Sequence, residues 1–323
     1  MILDAWLEKY RQIAQGNRFL LEAFGQLWGE LDRNGIEAFP LKGIDLLLRG
    51  YPGLGLRPMV DADILLRERD VETATRLLNS LGFQCQKSRT LLSESFAEES
   101  LVFFSADNRL NLDVSWNLGC LQEERTLWDR AVFRETSVGT HRLLHPEDAL
   151  LYLIAYTVAH RGHLSPLFVQ DLDALLKREG NQIDWRRGCA QVKRARVGAA
   201  VHHGLRYARQ KGSGSIPEEV FTLIRPQAFS ERCLAWFYSR AVTERPIPSV
   251  AYLFRWVGTP GLDKKAKLLR RAFFPPRPML ELRRGKGSRW NQLFWRGIKP
   301  FWILVRGLYF VPRDLFQLFK GGG

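Results

Sequence analysis

The chain has 323 residues, 46% hydrophobic, 12% aromatic and 25% charged, which is enough to bury a substantial core and excludes global disorder. Its net charge of +14 is uneven: residues 1–150 hold 17 Lys and Arg against 23 Asp and Glu, whereas residues 255–323 hold 16 against 3. Four scattered cysteines (Cys85, Cys120, Cys189, Cys233) argue against a disulfide scaffold or a zinc finger, and no run of about 18 apolar residues forms an ordinary membrane span.

The first twelve residues, with Asp4 and Glu8 among them, show no signal-peptide pattern, so a reducing, cytoplasmic setting is expected. Residues 3–31 place Leu3, Trp6, Leu7, Ile13, Phe19, Leu20, Phe24 and Leu27 at three- and four-residue steps, which predicts a helix stopped by Asn34-Gly35. IEAFPL (36–41) reads as a strand entering a tight turn at Lys42-Gly43, and IDLLLRGY (44–51) as the helix after it. Pro52, Gly53, Gly55 and Pro58 mark a loop.

VDADILL (60–66) alternates Val60, Ala62 and Ile64 against Asp61, Asp63 and Leu65, the pattern of a strand with two carboxylates on one face. A helix capped by Asp70 is expected over 70–81. SLVFFSA and RLNLDVSWNL, joined by Asp107-Asn108, read as a hairpin. This order predicts a compact unit of mixed helix and strand.

Pro146-Glu147-Asp148 opens a helical second half. It comprises ALLYLIAYTVAHRGH, LFVQDLDALLKRE, WRRGCAQVKRARVGAAVHHGLRYARQ, EEVFTLI and SERCLAWFYSRAV, with a flexible joint at Gly212–Ser215. From Phe273 onward, Pro, Gly and basic residues dominate, and residues 294–320 interleave large aromatics with Arg and Lys. The expected organisation is an N-terminal helix (1–35), an α+β core (36–145), a helical domain (146–272) and a basic aromatic arm (273–323). That arm suits an anionic membrane surface or, less well, single-stranded nucleic acid; the plain alternative is a helix packing its aromatics inward.

Three groups of residues carry chemistry. Asp61 and Asp63 at i and i+2 point the same way, and Asp113, mid-strand in an apolar run, can join them if its strand lies beside theirs. Three clustered acids repel one another and call for a cation, Mg²⁺ singly or as a pair. Lys42-Gly43, at a strand-to-helix turn, offers an ammonium and backbone N–H groups to a phosphate. A solvated D-x-D face is the bland reading of the first group. His160 and His163, three apart on a helix, lack further ligands for zinc and fit packing or a helix end. His202-His203 reads as structural.

With these residues in place the sequence resembles the polymerase-β type of nucleotidyltransferase, and more narrowly a bacterial nucleotidyltransferase-like family recorded largely as uncharacterised. The likeness runs through LKGIDLLLRGYPGLGLRPMVDADILL, LDVSW (112–116), PEDALLYLIAYTVAH (146–160), LFVQDLDALL (167–176) and FFPPRPML (273–280). It implies a small mixed sheet with a helical C-terminal region, and Mg²⁺-dependent transfer of a nucleotidyl group from an NTP to a hydroxyl or phosphate. Asp61, Asp63 and Asp113 would hold metal, with Asp113 completing that site or activating the acceptor. Lys42, Gly43 and Arg57 would meet the triphosphate. His160 and Asp171 would border the cleft, Asp171 being equally readable as a helix-surface acid. Two positions depart from the pattern: Lys-Gly-Ile stands where the wider fold has Gly-Ser, and Ser115 where the narrower family has His. Two rival classes stay open, a non-catalytic interaction module of the same fold and an RNA-directed transferase using the arm.

Overall fold

The computed structural model describes residues 2–85, 100–107, 110–118, 124–213 and 216–242, with 261–263, 265, 266 and 270 besides. The expected arm at 273–323 and Cys120 lie outside these residues. The long opening helix is present as α1 (Ile2–Arg33), followed by β1 (Ala38–Leu41) and α2 (Lys42–Leu48). The expected turn at Lys42-Gly43 is shorter than a turn: strand passes straight into helix, with Lys42 itself left-handed at φ 54°. A bulky side chain held there costs roughly 1–3 kcal/mol, which surrounding contacts must offset.

A 3₁₀ turn (Leu54–Leu56) leads to β2 (Ala62–Leu66) and then α3 (Val71–Ser80). Asp70 stands at the N-cap of α3, but its side chain makes no capping hydrogen bond, contrary to expectation. Its backbone is helical rather than extended, which turns the carboxylate away from the first-turn N–H groups. Short β3 (Gln84–Cys85), β4 (Ser100–Phe104) and β5 (Asn111–Ser115) complete one sheet of order β1-β2-β5-β4-β3. The β4–β5 hairpin is antiparallel as expected, whereas β2 and β5 run parallel.

The alternation in 60–66 suggests a half-exposed strand, yet β2 begins at Ala62 and all five of its residues are buried. Both faces of the sheet are covered. Ala62, Ile64, Leu66, Leu112 and Val114 pack against Phe24, Leu27 and Leu31 of α1 and against α3. Phe39, Leu41 and Leu65 pack on the other side against the helices after residue 146. A strand buried on both faces carries no polar alternation of its own, so Asp61 and Asp63 have a reason other than solvation.

After α4 (Glu124–Asp129) comes a second hairpin, β6 (Val132–Thr136) and β7 (Gly139–Leu143), which the sequence pattern does not announce. The helical region is α5 (Pro146–Ala155), α6 (Pro166–Glu179), α7 (Trp185–Ala195), α8 (Gly198–Gln210), α9 (Glu218–Leu223) and α10 (Phe229–Ala241). Two stretches that read as continuous helices are interrupted. Residues 185–210 divide at left-handed Arg196, and the helix opening at Pro146 widens after Ala155 into a π turn (Tyr156–Arg161) closed by Gly162 at φ 60°. Ser213, expected in a flexible joint, is buried and donates a hydrogen bond from its hydroxyl to Asp173. Among the described residues no helix is long and apolar enough to cross a membrane.

Gly204 sets how closely α8 approaches α5: a Cβ there would lie 2.6 Å from Ile154 Cγ2 and 3.2 Å from Val158 Cγ2. Gly204→Ala is therefore expected to destabilise the protein by about 1–3 kcal/mol, measured by urea denaturation, despite alanine's better helix propensity.

Candidate active site

Burial on both faces leaves a cleft between the sheet and the α5–α6 region, with a volume of about 290 Å³. Lys42, Gly43, Arg57, Asp61 and Asp63 line one side; Tyr156, Arg161, His163 and Asp171 line the other. Asp63 reaches it because it lies on the Leu65 face of β2, in register with Leu41 of β1. Parallel pairing sets Asp113 of β5 directly beside Asp63. The three acids singled out in the sequence therefore come together on adjoining strands, with Asp61 just ahead of β2.

Their electrostatics record that crowding. Burial, and then the neighbouring Asp63, hold Asp61 above the ordinary carboxylate range. The same two causes push Asp113 up to about 6, and its Oδ1 is buried without a hydrogen-bond partner. Asp63 is compensated: the Lys42 ammonium pairs with its Oδ1, and both side chains are largely buried. The Asp63 charge holds Lys42 protonated well above its usual range, against the opposing effect of burial. Lys42 Nζ also sits 4.2 Å from the centre of the Tyr156 ring. Among the described residues no three His, Cys, Asp or Glu side chains are arranged to hold one metal ion between them.

The raised Asp113 value has a consequence for stability. A folded pKa of about 6 against an ordinary 3.8 means that its favourable contribution is complete below pH 3.8 and is lost as pH rises through about 6. At pH 8 the ionised carboxylate then costs about 3 kcal/mol. Asp113→Asn is expected to raise stability at pH 8 by up to about that amount and to leave it unchanged near pH 4, as followed by urea denaturation.

Arg57 and Asp171 form the cleft's second pair. Arg57 Nε and Nη2 donate to the two carboxylate oxygens of Asp171 at 2.9 Å each. Asp171 is thus a buried acid of the cleft wall rather than a helix-surface one, and the Tyr51 hydroxyl lies near enough to favour its charged form. Burial, more than any neighbour, lifts both the Asp171 carboxyl and the Tyr51 phenol above their ordinary values. A Cβ at Gly43 would collide with Arg57 Nη1 and lie 2.8 Å from Met59 Sδ, so the absence of a side chain at 43 is what lets Arg57 lie along the cleft wall.

Sequence reasoning missed Asn17, Tyr156 and Arg161. Asn17 is 1% exposed, and its Nδ2 donates to the carbonyls of Leu54 and Arg57 at 2.7 Å each, which anchors the loop before Asp61 to α1. A signal was present: Asn17 occupies an apolar step of the series Ile13, Leu20, Phe24, and a polar residue there must find partners. Tyr156 and Arg161 had none, because nothing in the sequence marks a π turn. His163 lines the cleft, while the His160 side chain lies outside the described set.

Residues 1–211 match the model of a family described as uncharacterised nucleotidyltransferase. The chain belongs to that family. It is a nucleotidyltransferase, of mixed α+β fold with a helical C-terminal region. No curated protein matches this nucleotidyltransferase. Among solved structures, the lincosamide antibiotic adenylyltransferase LnuA in its lincomycin-bound form covers 48% of this chain and 94% of its own, at 13% identity and a TM-score of 0.35. A likeness of that degree bears on neither nucleotide nor acceptor.

Proposed function

We propose that this nucleotidyltransferase moves a nucleoside monophosphate from an NTP to a hydroxyl or phosphate of a small-molecule, sugar or peptide acceptor, with Mg²⁺ as cofactor. One observation carries the reading: Asp63 and Asp113 stand side by side across β2 and β5, with Asp61 two residues before Asp63 on the same cleft.

The residues fit a divalent cation. Asp113 Oδ1 lacks a partner, and both Asp61 and Asp113 are lifted by burial and by Asp63, a disfavoured state that positive charge relieves. Mg²⁺ commonly binds through one or two carboxylates, with phosphate oxygens and waters completing its shell, so Asp61 and Asp63 suffice as cleft-side ligands. When bound, it supplies neutralisation of phosphate charge during in-line displacement.

The chain's own residues do the rest. Gly43 gives the triphosphate close access beside Arg57, and Lys42 turns from Asp63 toward phosphate once Asp63 is engaged. The acceptor oxygen bonds to the α-phosphorus as the bond to the β-phosphate oxygen breaks, and pyrophosphate leaves. Asp113 would complete the metal site or take the acceptor's proton. Holding the reactants in line supplies most of the acceleration. On the family likeness His160 would border the cleft, and on composition the 273–323 arm would serve an anionic membrane surface.

The test uses NTP labelled at the α or the γ phosphate, supplied with Mg²⁺ and fractionated candidate acceptors. The α label is expected in the acceptor and the γ label in pyrophosphate. Transfer of the γ label to the acceptor would overturn the proposal.

A further inference from the structure

The geometry points to Arg161 as the cation that holds the β- and γ-phosphates of the NTP, with Tyr156 as its positioning residue. The inference rests on the nucleotidyl-transfer reading and adds a residue outside the three-acid pattern.

It begins from the charges facing the cleft. Asp61, Asp63 and Asp171 line it, as do Lys42, Arg57 and Arg161. Four of these six are already committed, Lys42 to Asp63 and Arg57 to Asp171. Asp61 and Arg161 remain, without an ion pair among the described residues. Both line the same cleft, from opposite walls. The leftover pair asks for a ligand carrying both signs: a cation for the carboxylate and an anion for the guanidinium. A metal-chelated polyphosphate is such a ligand.

Arg161 is also presented for the task. It ends the π turn, where the extra residue in the helical ladder re-aims the side chains that follow, and it is exposed at the cleft. Its Nε donates to the Tyr156 hydroxyl at 3.3 Å and its Cζ lies 5.5 Å from the Tyr156 ring centre. Among the described residues, the terminal nitrogens of its guanidinium make no hydrogen bond. Lys42 approaches the same ring, so Tyr156 gathers two cations with a single carboxylate, Asp63, paired to them. A fork of free N–H donors beside an ammonium is the donor set that a phosphate chain takes.

The experiment is calorimetric titration of NTP and of the matching NMP, both with Mg²⁺, into wild type and Arg161→Gln, Arg161→Lys and Tyr156→Phe. Arg161→Gln is expected to weaken NTP binding about 10- to 100-fold, as loss of a charge-assisted contact does, and to leave NMP affinity within about twofold. Arg161→Lys keeps part of the NTP affinity, and Tyr156→Phe weakens NTP by about threefold because the ring stays while the hydroxyl goes. Thermal unfolding of Arg161→Gln should match wild type, the side chain being exposed. NTP affinity unchanged in Arg161→Gln, or NTP and NMP affinities falling together, would overturn the assignment while leaving nucleotidyl transfer standing. Failure of wild type itself to bind any NTP would overturn both.

Discussion

Asp63→Asn is expected to lower the rate of nucleotidyl transfer by about a thousandfold or more. Metal-mediated stabilisation of phosphoryl charge contributes several kcal/mol, and each 1.36 kcal/mol is a factor of ten. The same substitution strands Lys42, whose ammonium is held in a largely buried position by Asp63, so a stability loss of about 3–5 kcal/mol is also expected. The two effects separate in a double variant. Adding Lys42→Met removes the stranded charge and should restore most of the unfolding free energy, while transfer stays at or below the Asp63→Asn level. Urea denaturation and steady-state transfer rates, measured on wild type, the two single variants and the double variant, check this. Recovery of transfer along with stability would show that Asp63 serves the fold alone.

The second large effect lies on the opposite wall. Arg57 and Asp171 bond through two parallel hydrogen bonds, their side chains 11% and 5% exposed. Arg57→Ala leaves the Asp171 carboxylate buried without its ion-pair partner and is expected to cost about 3–5 kcal/mol. It also uncovers Gly43, so the wall of the triphosphate site is lost with the pair. Replacing both members by apolar residues of similar size, Arg57→Met with Asp171→Leu, should cost far less than either single change, because no charge is left unpaired. Denaturant midpoints across the four proteins measure this coupling directly. Additive losses would mean that the two residues act independently.

How far the site was legible follows from where each residue's signal resides. Asp61, Asp63 and Asp113 stood out because carboxylates in short apolar runs demand an explanation, and period-two geometry predicted that the first two share a face. What the pattern could not supply was the partner strand. That β5 lies parallel to β2, with Asp113 opposite Asp63, is a fact of sheet order, and local periodicity carries no information on it. The bland reading of 60–66 as a solvated face fails for a related reason: the sheet is covered on its second face by helices more than 80 residues later, so the acids line a cleft.

Most helices were legible in the sequence, but α4 and the break between α7 and α8 were not. Arg196 and the π turn interrupt stretches whose composition favours helix throughout, since a backbone break in a left-handed Arg or an inserted residue is enforced by packing. Asp171 could be read as surface or cleft because its partner, Arg57, lies 114 residues away. The Lys42–Asp63 pair was hidden similarly: each residue was read toward the nucleotide, while in the protein they hold each other.

The account turns on the D-x-D carboxylates forming, with Mg²⁺, the seat of an NTP. The most direct measurement is calorimetric titration of each NTP, with and without Mg²⁺, into wild type and an Asp61→Asn, Asp63→Asn double variant whose fold is confirmed by circular dichroism. The account predicts Mg²⁺-dependent binding of at least one NTP by wild type and its loss in the folded double variant. Equal NTP binding by the two proteins, or binding indifferent to Mg²⁺, would contradict it.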